Sequence, residues 1–127
     1  MPKHPNKKVF AVLSDLFFTA KISAAAKLAG MDIEFIKSDK EVLARAKESL
    51  PPLIILDLNF DEVQPLKLIG KIKSNPELKK ISLVSYLSHV QGDLKQQAHD
   101  AGCDMVLAKS AFSQNLPQIL KRHAGNQ

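Results

Sequence analysis

The chain has no tryptophan, one tyrosine and one cysteine among 127 residues. The lone Cys103 excludes an internal disulfide, so nothing points to an oxidising compartment. Glycine is scarce, at five residues, and none falls in Ser14-Asp15-Leu16-Phe17, the segment after the first apolar run. A phosphate-cradling glycine loop is therefore missing, which argues against a nucleotide-binding enzyme. No apolar run approaches the ~20 residues that span a bilayer, and the N-terminus lacks a signal-peptide core. Between residues 9 and 120 there is no basic stripe with interleaved aromatics, the pattern expected of a nucleic-acid surface. His4, His89, His99 and His123 show no metal-ligand spacing with Cys103, which argues against zinc. These absences predict a soluble, cytoplasmic protein with neither a membrane nor a nucleic acid as partner.

What is present is ordinary for one globular domain: 45% hydrophobic and 24% charged residues. A chain of this length buries roughly two-thirds of its unfolded surface without staples. The net charge of +5 lies at the ends. Lys3, Lys7, Lys8, Lys121 and Arg122 are terminal, and without these five the remaining Lys and Arg equal the 13 acidic residues in number. Basic, solvated tails on a neutral body are the plain reading. Residues 1–7 are expected to be a disordered basic lead-in, 8–123 a single domain and 124–127 a C-terminal tail.

The stretch Leu53-Ile54-Ile55-Leu56-Asp57 organises the rest. Four consecutive aliphatics after Pro51-Pro52 suit a strand covered on both faces, and they run straight into a carboxylate. Val9-Phe10-Ala11-Val12-Leu13 is a second such run, ending at Ser14-Asp15. Phe18, Ile22, Ala25 and Ala29 then share one helical face, with Gly30 as a stop. Asp32 to Ile36 alternates like a half-exposed strand, and Ser38-Asp39-Lys40-Glu41 has the form of a capping box. The helix it opens is expected to bury Val42, Leu43, Ala46 and Leu50. Leu66, Leu68, Ile69 and Ile72 mark a third helix. Ile81 to Tyr86 forms a fourth strand, Leu94, Ala98 and Ala101 a fourth helix, and Asp104 to Ala108 a fifth strand. The last helix carries Leu116, Ile119 and Leu120, with Pro117 expected in its first turn. Five βα units in succession predict an α/β fold, a doubly wound parallel sheet with right-handed crossovers.

In a parallel sheet the carboxyl ends of the strands share one rim, where ligands collect. That rim is expected to hold Ser14, Asp15, Asp57, Ser85 and Lys109. The conjunction of carboxylates, a hydroxyl and an ammonium is what points to chemistry. His89, just past the fourth strand, reads more simply as a loop histidine, and Cys103 beside Gly102 as a small buried residue.

From about Lys8 to Leu120 the sequence resembles the response-regulator receiver domains of two-component signalling, as an atypical member. Leu13-Ser14-Asp15, Ile55-Leu56-Asp57-Leu58-Asn59, Leu83-Val84-Ser85-Tyr86 and Ala108-Lys109-Ser110 carry the resemblance. It implies a flavodoxin-like sheet of order 2-1-3-4-5, an order the family is known for. It also implies that Asp57 accepts a phosphoryl group. Magnesium would be held by Asp15, Asp57 and the Asn59 backbone carbonyl. Lys109 would pair with Asp57 or the phosphate, and the Ser85 hydroxyl would turn to a phosphate oxygen. The implied partners are a sensor histidine kinase or phosphotransfer protein upstream and a partner protein downstream. The latter would dock on the face of the fourth helix, fifth strand and fifth helix, where Tyr86, His89, Val106 and Phe112 fall. The expectation is a stand-alone signalling module without an attached effector domain, not an enzyme.

The chain departs from the family at several points. Ser14 replaces the first acidic residue, which predicts weak magnesium binding, although magnesium can be held by one or two carboxylates with water. Leu16 replaces another common acidic residue, and Phe60-Asp61-Glu62 replaces the usual turn after Asp57. Ser110 replaces proline after the lysine, and a cis bond before serine would cost ~3 kcal/mol. Val106 replaces the aromatic of the fifth strand. Three functional readings follow: a phosphorylatable receiver, a degenerate one that docks partners independently of phosphorylation, and, third, a small α/β enzyme.

Overall fold

A computed structural model describes residues 8–88 and 92–124. The expected lead-in at 1–7 and most of the expected tail at 124–127 lie outside those residues, as does His89. The element order is β1 (Lys8–Val12), α1 (Leu16–Leu28), β2 (Asp32–Phe35), α2 (Asp39–Ser49), β3 (Leu53–Asp57), a short 3-10 turn (Asp61–Val63), α3 (Pro65–Ser74), β4 (Ser82–Leu87), α4 (Gly92–Ala101), β5 (Met105–Ala108) and α5 (Lys109–His123). Among the described residues no helix is long and apolar enough to cross a membrane.

The aliphatic run becomes the central strand because nothing else suits residues that must be dry on both sides. Leu53, Ile54, Ile55 and Leu56 are all fully buried. The five strands pair in parallel in the order β2-β1-β3-β4-β5. Alternation along each strand then sorts the side chains into two layers. Leu53 and Ile55 join Val84, Tyr86, Phe18, Ile22 and Phe112 beneath α1 and α5. Ile54 and Leu56 join Leu83, Val106, Val42, Ile69 and Ala98 beneath α2, α3 and α4. The register sets Asp57 beside Tyr86, Leu56 beside Ser85 and Ser85 beside Val106.

The local signals mostly did what their chemistry predicts. Ser38 caps α2 by accepting from the Glu41 amide at 3.4 Å. Leu50 is a correction: it closes α2 in the left-handed region at φ 46° and is exposed, while Leu43 is only partly buried. A residue forced out of helical geometry cannot keep its side chain on the helix's buried stripe. On α1 the dry stripe is Phe18, Ile22 and Ala26, with Ala25 and Ala29 at its edge.

Pro117 is a second correction, for it sits inside α5 and not in the first turn. Without Pro at 110, Lys109 is free to take helical angles, so the helix begins directly at the end of β5. That early start moves Pro117 into the interior. No cis peptide bond occurs among the described residues.

Candidate functional site

The loop after β1 becomes a charged corner because Asp15 has two tasks. Its Oδ1 accepts from the Phe17 and Phe18 amides at 2.9 and 3.2 Å, capping α1. These are the donors a helix start leaves unpaired, and a carboxylate there also suits the helix dipole. Its Oδ2 accepts from the Lys109 ammonium at 2.7 Å. Lys109 and the two amides together hold the Asp15 carboxyl below the usual carboxylate range. Ser14 is exposed beside it.

Asp57 ends β3 half-buried. Its Oδ1 accepts from the Asn59 amide at 2.8 Å, and among the described residues its other oxygen has no hydrogen-bond partner. Burial pushes its carboxyl above the ordinary value, against the Asn59 bond and the Lys109 charge. Asp15 and Asp61 add to the upward push. Asp15, Asp57 and Lys109 thus stand close enough to act on one another's charge. The expected partnership of Lys109 with Asp57 is not the one seen, since the ammonium rests on Asp15.

Ser85 is also a correction. It is fully buried, and its Oγ lies 3.1 Å from Cys103 Sγ in the layer beneath α3 and α4. Cys103 donates onward to the Leu83 and Met105 carbonyls. Strand alternation sends Ser85 to the face opposite Asp57 and Tyr86. The hydroxyl near the rim is that of Ser88, one residue past β4. Its Oγ and backbone amide both donate to Asn59 Oδ1, at 3.0 and 2.8 Å. Sequence reasoning missed Ser88 because it ended the strand at Tyr86, one residue early. In the folded sheet Asp57 pairs with Tyr86, and two residues onward from Tyr86 is Ser88, a register that no local pattern gives.

Ser88 also lines a cleft of about 660 Å³ with Phe17, Phe18, Ala108, Lys109, Ser110 and Ser113. Phe17 in its lining and the preceding Leu16 are 75% and 79% exposed. The expected partner face fares differently. Tyr86, Val106 and Phe112 are buried, at 1%, 4% and 0% exposure, so none of them offers a docking surface. Tyr86 and Phe112 stack in the apolar layer beneath α1 and α5, and Val106 packs in the opposite one.

The two carboxylates, one of them with an oxygen that has no partner among the described residues, are donors of the kind magnesium takes. Ser14 supplies no charge, and Lys109 already neutralises Asp15. Among the described residues no cluster of three or more His, Cys, Asp or Glu could hold a metal ion.

No family model matches the sequence. A curated relative, the response regulator protein VraR of Staphylococcus aureus, is 28% identical over 95 residues, covering 72% of this chain and 44% of its own. The chain thus spans less than half the length of the curated relatives it matches. Among solved structures, the phosphorylated cyanobacterial phytochrome response regulator RcpA superposes with a TM-score of 0.76 at 26% identity, over 92% of this chain and 90% of that one. The receiver domain of a sensor histidine kinase from Pseudomonas aeruginosa, solved with magnesium coordinated in its active site cleft, superposes with a TM-score of 0.79 at 17% identity. That match covers 95% of this chain and 99% of that one.

Proposed function

We propose that this chain, a receiver domain of the response-regulator type by fold and sequence, accepts a phosphoryl group on Asp57 and signals through a partner protein. The observation that carries the reading is the Asp57 carboxylate: at the carboxyl end of the central strand, oriented by the Asn59 amide, with its other oxygen unpartnered among the described residues. An oriented carboxylate with one available oxygen is a competent nucleophile.

The transfer follows from the residues at hand. The Asp57 oxygen attacks phosphorus on a phosphohistidine of a sensor kinase or phosphotransfer protein. The bond from phosphorus to the imidazole nitrogen breaks, the imidazole keeps the electron pair and takes a proton, and Asp57 carries an acyl phosphate. Such transfers are chiefly positioning and charge neutralisation. Lys109 supplies the cation by moving from Asp15 to the phosphoryl oxygens. Ser88 takes the part expected of Ser85, turning its hydroxyl from Asn59 to a phosphoryl oxygen. Asp15, Asp57 and the Asn59 carbonyl would hold magnesium, which supplies further charge neutralisation when bound. A receiver domain of the same fold from Pseudomonas aeruginosa, solved with magnesium coordinated in its active site cleft, makes magnesium the ion to test. The proposal concerns this domain alone, because the match covers only 43–44% of the matched relatives.

Acetyl phosphate with magnesium, followed by intact mass, tests the reading. A phosphoryl adduct on the native chain that is absent from Asp57→Asn is the expected result. The engagement of Lys109 by Asp15 favours the second reading, a receiver that docks partners without phosphorylation. An unmodified native chain would leave that one standing.

A further inference from the structure

Lys109 has a second neighbour besides Asp15. Its ammonium lies over the Phe18 ring, 4.7 Å from the centroid. Phe18 is buried in the first turn of α1, and its own amide is one of the two that Asp15 caps. Behind it stand two more rings, Tyr86 of β4 at 5.0 Å and Phe112 of α5 at 5.9 Å, themselves stacked at 4.9 Å. The ammonium is therefore held from two sides, by a carboxylate and by the face of a packed ring, and neither is Asp57. A ring face attracts a cation through its quadrupole, more strongly as water is excluded. The Tyr86 hydroxyl is buried and, among the described residues, has no hydrogen-bond partner. The ring cluster in this state therefore carries an unsatisfied polar group, a cost that a rearrangement would relieve.

We propose that Phe18 is a positioning residue that holds Lys109 in a resting place against Asp15, and that a phosphoryl group on Asp57 draws the ammonium off the ring. The proposal rests on the phosphoryl-acceptor reading for its second half only. Phe18 acts through Lys109 and touches no reacting atom. It sets how readily the cation is delivered.

Three measurements on the full chain test it. The first needs no phosphoryl donor: proton NMR of the Lys109 ε-methylene group, assigned by its loss in Lys109→Arg. Ring current is expected to move it upfield in the native protein and in Phe18→Tyr, and to release it in Phe18→Leu. A native resonance at the position of a solvated lysine overturns the proposal. The second is the rate of acetyl phosphate labelling with magnesium. Phe18→Leu is expected to label about two- to fivefold faster, the factor matching an exposed cation–ring contact, while Phe18→Tyr keeps the native rate. An unchanged or slower Phe18→Leu, shown folded by its circular dichroism, overturns the release step. The chain has one tyrosine and no tryptophan, so its near-ultraviolet tyrosine absorption reports Tyr86 alone. That signal is expected to shift on labelling, and a labelled chain with an unshifted Tyr86 also counts against release. If the native chain takes no label, the phosphoryl-acceptor reading and the release step fall together. The resting contact is still decided by the NMR.

Discussion

Asp15 accepts the Lys109 ammonium at 2.7 Å with one carboxylate oxygen while the other caps α1. The two tasks separate by substitution. Asparagine caps as well as aspartate, so Asp15→Asn keeps the helix start and loses only the partly exposed pair, about 0–1 kcal/mol. Asp15→Ala loses the cap as well, about 1 kcal/mol more. Because Asp15's carboxyl is held low in the folded state, its stabilisation is present above the unfolded value and is lost as pH falls through the folded one. Urea unfolding of both variants at neutral and acid pH is expected to show the native advantage over Asp15→Asn fade in acid.

Asp57 runs the other way. Burial raises its carboxyl, so the folded state favours the protonated form. Its contribution is fully present below the unfolded value, near 3.8, and is lost as pH rises through the folded value. At neutral pH the ionised Asp57 therefore works against the fold. Thermal melting is expected to place Asp57→Asn above the native protein at pH 7, with the gap closing towards pH 4. A gap that widens in acid would contradict this.

The two serines of the β4 region are predicted to differ. Ser88→Ala removes the hydroxyl near the site and is expected to slow acetyl phosphate labelling about tenfold, the value of one charge-assisted hydrogen bond in the transition state. Ser85→Ala is expected to label at the native rate. It removes a buried contact to Cys103 and costs up to about 1 kcal/mol in urea unfolding. Equal labelling rates for the two variants would count against Ser88.

Gly102, between α4 and β5, allows almost no substitution. Its φ is +114°, and a Cβ there would meet Lys73 Cγ at 2.8 Å and Cβ at 2.9 Å. Lys73 cannot step aside freely, since its ammonium donates to the Lys79 and Ile81 carbonyls and to Asp104. Gly102→Ala is expected to destabilise by about 1–3 kcal/mol, read by denaturant midpoint at unchanged slope.

Pro117 points to a gain. It denies the Ser113 carbonyl its helical donor in the middle of α5, on an exposed face. An interior proline costs about 3 kcal/mol, offset by about 0.4–1 kcal/mol from a stiffer unfolded chain. Pro117→Ala is expected to stabilise by about 1–2 kcal/mol, measured by thermal melting.

Local chemistry settled much of this protein before any folding was known. The two aliphatic runs, the Ser38 cap and the stop at Gly30 each act within a few residues, so five βα units, a parallel sheet and Asp57 at a strand end were legible in the order of the residues. The order of the strands came by resemblance, since no local pattern encodes it. What the tertiary structure alone decided was which side chains meet. Strand alternation has a period of two, so Ser85, next to Tyr86, faces away from Asp57, and the hydroxyl at the rim is that of Ser88, one residue past β4. The same packing buried Tyr86, Val106 and Phe112, which the sequence had suggested for a docking face. Lys109 could have paired with either carboxylate, and only the placement of α1 against α5 set it on Asp15 and Phe18. Residues far apart in sequence choose partners by position in space, and the sheet and its helices supply that position.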